Sequence, residues 1–251
     1  MEPTNIHTHR RIAELVDENY AYAAVLYYFG IEFYDYDEKT LEQVCSEQGL
    51  NVQEVIQELE AIYGQPEHEI VGLSALPTDI IIAYLKHTHF QFVKTRLPYL
   101  SKLINSLPKL HYTNIVEDLQ FVFPLFVEDL IHHIYEEEDD FFSYVLALQE
   151  ATQNGQPTPN LYLSMEKRSI QEFAIHHDMD DDEMEGIRQI TNGYATENID
   201  SLHLRVVYAE LQKFERELCV HASVENEILF PKALMLEKQV QKIMRAKIRL
   251  N

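Results

Sequence analysis

Two short signatures, set in separate helical stretches, constrain this chain more than anything else in it. The first is His133-Ile-Tyr-Glu-Glu137, followed by Glu138-Asp-Asp-Phe-Phe142. The second is His221-Ala-Ser-Val-Glu225, followed by Asn226-Glu-Ile-Leu-Phe-Pro231. Each places a histidine and a carboxylate four residues apart, so in a helix both project from one face, about one turn apart. One such pair alone is an ordinary surface feature. Two of them, each inside an apolar helical pattern, ask for two helices that face each other. Imidazole suits iron, and a carboxylate can bridge two cations. Two facing helices would therefore offer two histidines and two bridging carboxylates to a pair of metal ions.

The rest of the chain supports a helical frame. Residues 9 to 29 read as helical, with apolar positions at Ile12, Leu15, Val16, Tyr20, Ala23, Ala24 and Tyr27 and a stop at Gly30. Thr40 caps a short helix through Cys45 to Gly49, and Asn51 with Glu54 opens a third helix that runs to Gly64. The stretch from Gly64 to Ser74 reads as a linker, which sets a small three-helix domain at residues 1–66. Four longer helical patterns follow. They run from near Thr78 to Leu107 with Pro98 inside, from Ile115 to Gln149 with Pro124 inside, from Leu163 to about Thr191, and from Ser201 past Glu237. No segment reads as a strand. The expected fold is all-α: the three-helix domain, then an antiparallel four-helix bundle over residues 76–245.

Charge and cysteine usage exclude several classes of function. The formal net charge is −22, which disfavours nucleic acid and anionic membrane as partners. No apolar run is long enough to span a bilayer, and the start of the chain does not read as a signal peptide, so a cytoplasmic location is expected. Only two cysteines are present, Cys45 and Cys219, which argues against a disulfide framework or a thiolate metal cage. Both read as packing residues. Twelve histidines against seven glycines is an unusual balance, and most of the histidines lie within helical patterns.

Helical periodicity sorts those histidines. Phe123, Phe126, Leu130, His133, Glu137 and Phe141 form one inner line, and Leu211, Phe214, Leu218, His221 and Glu225 another. His177 shares a stripe with Ile170, Phe173 and Met184. In the first long helix His89 falls on the line of Ile82, Leu85, Phe92, Leu97 and Leu100, whereas His87 does not. Ionisable groups on the inner faces of a bundle need compensation, and cations supply it. Two ferric ions with an oxo bridge and two glutamates would leave a net charge of about +2, far cheaper to bury than two bare carboxylates. A nitrogen-rich shell with two carboxylates suits a non-haem di-iron centre, whereas all-oxygen ligation would suit magnesium or calcium, and thiolates zinc.

Taken together, His133 with Glu137, His177-Asp178, His221 with Glu225 before Ile-Leu-Phe-Pro, and Leu97-Pro98 resemble the hemerythrin-like domain of the repair-of-iron-centres family. The N-terminal stretches Val16-Asp-Glu-Asn-Tyr20, Tyr28-Phe-Gly-Ile-Glu-Phe33 and Lys39-Thr-Leu-Glu-Gln-Val-Cys45 are similar to the short helical domain that precedes it there. The resemblance implies two iron ions, oxo- or hydroxo-bridged. It adds His111, from the connection after the first long helix, to a metal-ligand set of His89, His133, Glu137, His177, His221 and Glu225. Two departures stand out. The family's first-helix ligand position holds Phe90 here, leaving His89 or, failing it, His87 to serve, or one ligand fewer. The family's Cys-Cys in the N-terminal domain is replaced by Tyr34-Asp35, so no thiol chemistry is available at that point.

The function implied is iron–sulfur cluster repair, or a response to nitric oxide or oxidative stress, with an iron–sulfur protein as client and dioxygen or nitric oxide as ligand. Two rivals share the same ligands: a sensor or reservoir for dioxygen or nitric oxide, and a di-iron oxidase or peroxidase. The tyrosines Tyr20, Tyr22, Tyr27, Tyr28, Tyr34 and Tyr36 exceed what a 66-residue unit can bury, which suggests a homodimer formed through the N-terminal domain.

Overall fold

In the computed structural model, residues 8–61, 72–108, 112–167, 169–171, 173 and 182–250 are described, with backbone alone at 167 and 247–250. The protein is all-α. Among the described residues the sole extended pairing is an isolated bridge between Arg11 and Thr40. The chain forms two compact units, each assembled from three stretches. The first comprises Met1–Glu69, Pro98–Gln120 and Arg188–Phe214, and the second Ile70–Leu97, Phe121–Ile187 and Glu215–Asn251.

In the first unit the helices Ile12–Glu18, Ala21–Tyr28, Leu41–Gln48 and Val52–Ala61 bury Ile12, Leu15, Val16, Leu26, Leu41, Val44 and Leu59 completely. The single helix expected over residues 9 to 29 is two. Asn19 is extended, at φ −147° and ψ 105°, and its side-chain oxygen accepts from the Ala21 amide at 3.1 Å. A short polar side chain that bonds the backbone in this way competes with helix continuation. Thr40 caps its helix as expected, in a capping box with Gln43, and Gly30 and Gly49 take the left-handed conformation that ends a helix. Much of the tyrosine surplus is absorbed within this unit. Tyr22 is buried, Tyr27 packs on Tyr99 with ring centroids 4.7 Å apart, and Tyr34 stacks flat on His203 at 4.3 Å.

The second unit is built around the helices Thr78–Gln91, Ser143–Asn154 and Phe230–Leu250. Ile81, Ile82, Leu85, Phe141, Phe142, Val145, Leu148, Leu229 and Ala233 form its core. The helix expected from Leu163 to Thr191 is interrupted. A helix runs Pro159–Lys167, the backbone leaves helical geometry at Ser169, and another helix spans Glu185–Ile190. The Ile170 amide donates to the Glu237 carboxylate at 3.3 Å, which stands in for the backbone acceptor that a continuous helix would provide. Glu237 is buried and also accepts from the Tyr144 hydroxyl at 2.7 Å. Three described stretches of this unit are π-helical: Phe92–Arg96, Glu137–Phe142 and Glu225–Leu229. Such widened turns occur mostly as single insertions in α-helices, often at functional sites.

No helix among the described residues is long and apolar enough to cross a membrane.

Candidate metal centre

The second unit brings His89, Glu137, His221 and Glu225 together, all buried, with one potential ligand atom of each lying within 4.8 Å of the others. His89 comes from the last turn of Thr78–Gln91, and His221 from the last turn of Leu202–Val224. Glu137 and Glu225 each stand at the first position of a π-helical turn. The His89 Nε2 lies 3.0 Å from His221 Nε2 and 3.2 Å from Glu137 Oε2. His221 Nε2 lies 3.5 Å from Glu225 Oε1. The His89 ring lies parallel to Phe142 with centroids 5.7 Å apart, and Phe92 meets the His221 ring edge-on at 5.7 Å.

Electrostatics sets what this arrangement can hold. Two imidazole nitrogens 3.0 Å apart repel unless a proton or a cation lies between their lone pairs. Two carboxylates at 7% and 1% exposure carry negative charge into the core, where uncompensated charge is costly. Burial acts to lower the His89 pKa, but Glu137, Glu138 and Glu225 outweigh it, and the net shift is upward from the ordinary histidine value. The site therefore draws positive charge, and its nitrogen and oxygen donors fit a borderline transition metal better than magnesium or calcium.

Three further sets of histidines bear on the centre. His133 is 29% exposed, with Nε2 3.2 Å from Glu137 Oε1, so Glu137 turns one oxygen toward His133 and the other toward His89. His111 and His177 lie outside the described residues. His87 and His132 are exposed, and His132 faces Glu136 at 3.6 Å. Of the cysteines, Cys45 is buried as expected, and burial pushes its thiol pKa up. Cys219 corrects the expectation of a packing role, because it is exposed. Two residues before the inward His221, it is turned some 200° around the helix.

Sequence reasoning missed Glu138. Its Oε1 lies 2.9 Å from His89 Nδ1, and its Oε2 lies 3.5 Å from Lys86 Nζ. It sits in an unbroken acidic run, Glu136 to Asp140, that reads as a solvated face, and nothing in the run's composition separates it from its neighbours.

Fold and site together define an all-α protein with a buried histidine–glutamate group able to hold metal. Comparison with known proteins gives this class a biological setting. Iron–sulfur cluster repair protein ScdA of Staphylococcus haemolyticus is 20% identical over 225 residues, spanning 88% of this chain and 96% of that protein. ScdA of Staphylococcus epidermidis is 20% identical over 224 residues, with the same coverage of 88% and 96%. Iron–sulfur cluster repair protein YtfE of Pectobacterium atrosepticum is 22% identical over 201 residues, covering 78% of this chain and 83% of that one. The chain thus has homologues among the iron–sulfur cluster repair proteins, along most of its length. No family model matches it.

Proposed function

We propose that this protein is a cytoplasmic non-haem di-iron protein of the hemerythrin-like type that acts in iron–sulfur cluster repair. Under this reading residues 1–66 are the N-terminal helical domain and residues 76–245 the hemerythrin-like bundle. The observation that carries it is the convergence of His89, Glu137, His221 and Glu225 in the core. The homologues' shared name supports the iron and repair parts of the reading. Two ions rather than one are favoured by the posture of Glu137, whose oxygens face different histidines 3.2 Å away on either side. Each carboxylate would bridge, and His133, with His111 and His177, would complete the shell. Bound iron would supply a redox-active Lewis acid able to take a small diatomic, dioxygen or nitric oxide. The chain's own residues would fix the ion pair, exclude water through Phe92 and Phe142, and balance its charge.

Metal analysis and Mössbauer spectra of anaerobically purified protein test the centre, with two irons per chain expected and none refuting it. Transfer of iron to an apo iron–sulfur protein tests the role. Reversible binding of dioxygen or nitric oxide without transfer would favour a sensor, and turnover of peroxide an oxidase. A homodimer through the N-terminal domain would use the exposed Tyr28 rather than the packed Tyr27 and Tyr34, and light scattering at micromolar concentration reads it directly.

A further inference from the structure

His89 is gripped at both ring nitrogens by two consecutive carboxylates. Glu137 Oε2 lies 3.2 Å from Nε2, and Glu138 Oε1 lies 2.9 Å from Nδ1. Consecutive residues of an α-helix point about 100° apart, which ordinarily sends one of two neighbours away from any one ring. Here the helix opens into a wider turn at Glu137, and both side chains reach the same imidazole. Glu138 is itself anchored, its second oxygen facing Lys86, one turn before His89 on the opposing helix.

An ionised carboxylate only accepts hydrogen bonds, so the contact with Glu138 requires the proton on His89 Nδ1. That leaves Nε2, the atom that faces His221 and Glu137, as the nitrogen able to present its lone pair to an ion. His221 has no comparable support, for its buried Nδ1 makes no hydrogen bond among the described residues. Histidine ligands whose other nitrogen donates to a carboxylate are held in tautomer and ring orientation, and are made more basic.

We propose that Glu138 is a positioning residue of the metal centre, holding His89 as the Nδ1–H tautomer with Nε2 presented to the ion. The proposal rests on the metal reading above, and it has a consequence in metal-free protein as well. Glu138 touches no ion and acts through His89 alone.

The experiment uses full-length protein and three variants. Glu138→Ala removes the acceptor, Glu138→Gln keeps its shape, and Glu136→Gln removes one exposed charge from the same run without touching the site. Ferrous iron is titrated anaerobically against a colorimetric chelator. The His89 ring is followed by nitrogen-15 NMR in metal-free protein. Glu138→Ala is expected to weaken iron binding about 10- to 100-fold, with Glu138→Gln intermediate and Glu136→Gln within twofold of wild type. In metal-free Glu138→Ala the Nδ1 resonance of His89 should move away from its protonated, hydrogen-bonded position. Equal iron affinity in Glu138→Ala and wild type, with the ring pattern unchanged, overturns the proposal. So does an equal loss in Glu136→Gln, which would reduce the effect to general charge. If wild type takes up no iron but the ring pattern still moves in Glu138→Ala, the orienting role stands and the metal reading falls.

Discussion

His203 offers a prediction whose size follows from the structure. In the first unit its ring is 7% exposed, stacked flat on Tyr34 at 4.3 Å and set edge-on to Phe33 at 5.5 Å. Its Nε2 donates to the Leu103 carbonyl at 3.0 Å. Burial pushes its pKa from 6.5 down to about 4, and the carbonyl contact opposes this only in part. The folded protein thus holds His203 neutral where the unfolded chain takes up a proton. Stability is fully present above pH 6.5, falls as pH drops below it, and the loss is complete near pH 4. At about 1.4 kcal/mol for each tenfold in proton affinity, the loss comes to about 3 kcal/mol. His203→Phe keeps an aromatic face for Tyr34 and removes the titration, while leaving the Leu103 carbonyl without its donor, at about 1–3 kcal/mol independent of pH. Wild type should therefore lead the variant at pH 7.5 and forfeit about 2–3 kcal/mol of that lead by pH 4.5. Urea unfolding of both proteins in EDTA, at several pH values across this range, reads the difference. Lys102 holds the Glu32 carboxyl below its usual value although burial acts the other way, and burial pushes the Tyr34 hydroxyl up to about 12. A lead that stays constant within about 0.5 kcal/mol would refute the reasoning.

Glu137→Gln and Glu225→Gln each remove a buried negative charge from the cluster and should cut iron content to less than half, as read by elemental analysis of anaerobic preparations. Metal should stabilise the fold. At a free concentration about 1,000 times the dissociation constant the gain is about 4 kcal/mol, so chelation should lower Tm by roughly 8–16 °C in a chain of this size; an unchanged melt in EDTA would count against a bound ion. Tyr144→Phe deletes the 2.7 Å hydrogen bond to the buried Glu237 carboxylate. It should lower stability by about 2 kcal/mol, or roughly 4–8 °C in Tm, which calorimetry checks.

Periodicity reached the helix faces and stopped at the helix irregularities. The line through Ile82, Leu85 and Phe92 separates His89 from His87, and the two differ in the structure as a buried from an exposed side chain. The lines through Leu130 and Phe141, and through Leu211 and Phe214, likewise run into buried Glu137 and Glu225. Caps were readable where the residue type names its own bond, as at Thr40 and Gly49. The breaks at Asn19 and Ser169 were not, because each depends on a competing acceptor: a side chain two residues away in the first case, and Glu237, 67 residues along the chain, in the second. Glu138 was hidden for a related reason. A fixed period of 3.6 assigns Glu137 and Glu138 to different faces, and only the widened turn lets both meet His89.

Those widened turns bear on how a helical core accommodates a charged centre at all. Behind Glu137 the chain buries Phe141 and Phe142 in succession, and behind Glu225 it buries Ile228, Leu229 and Phe230. Consecutive side chains of an α-helix point about 100° apart, so burying two or three in a row widens the inward face. The π-helical turn loosens the register where the carboxylate leaves the apolar line, and apolar packing resumes at once on the far side. Phe141 stacks on Phe230 at 4.6 Å, so residues just past each carboxylate pack on each other. A widened turn weakens the hydrogen-bond ladder and persists only where its surroundings hold it. Here the surroundings are an aromatic contact on one side and a cluster of carboxylates and imidazoles on the other, so the apolar packing and the donors that call for a cation depend on the same two turns.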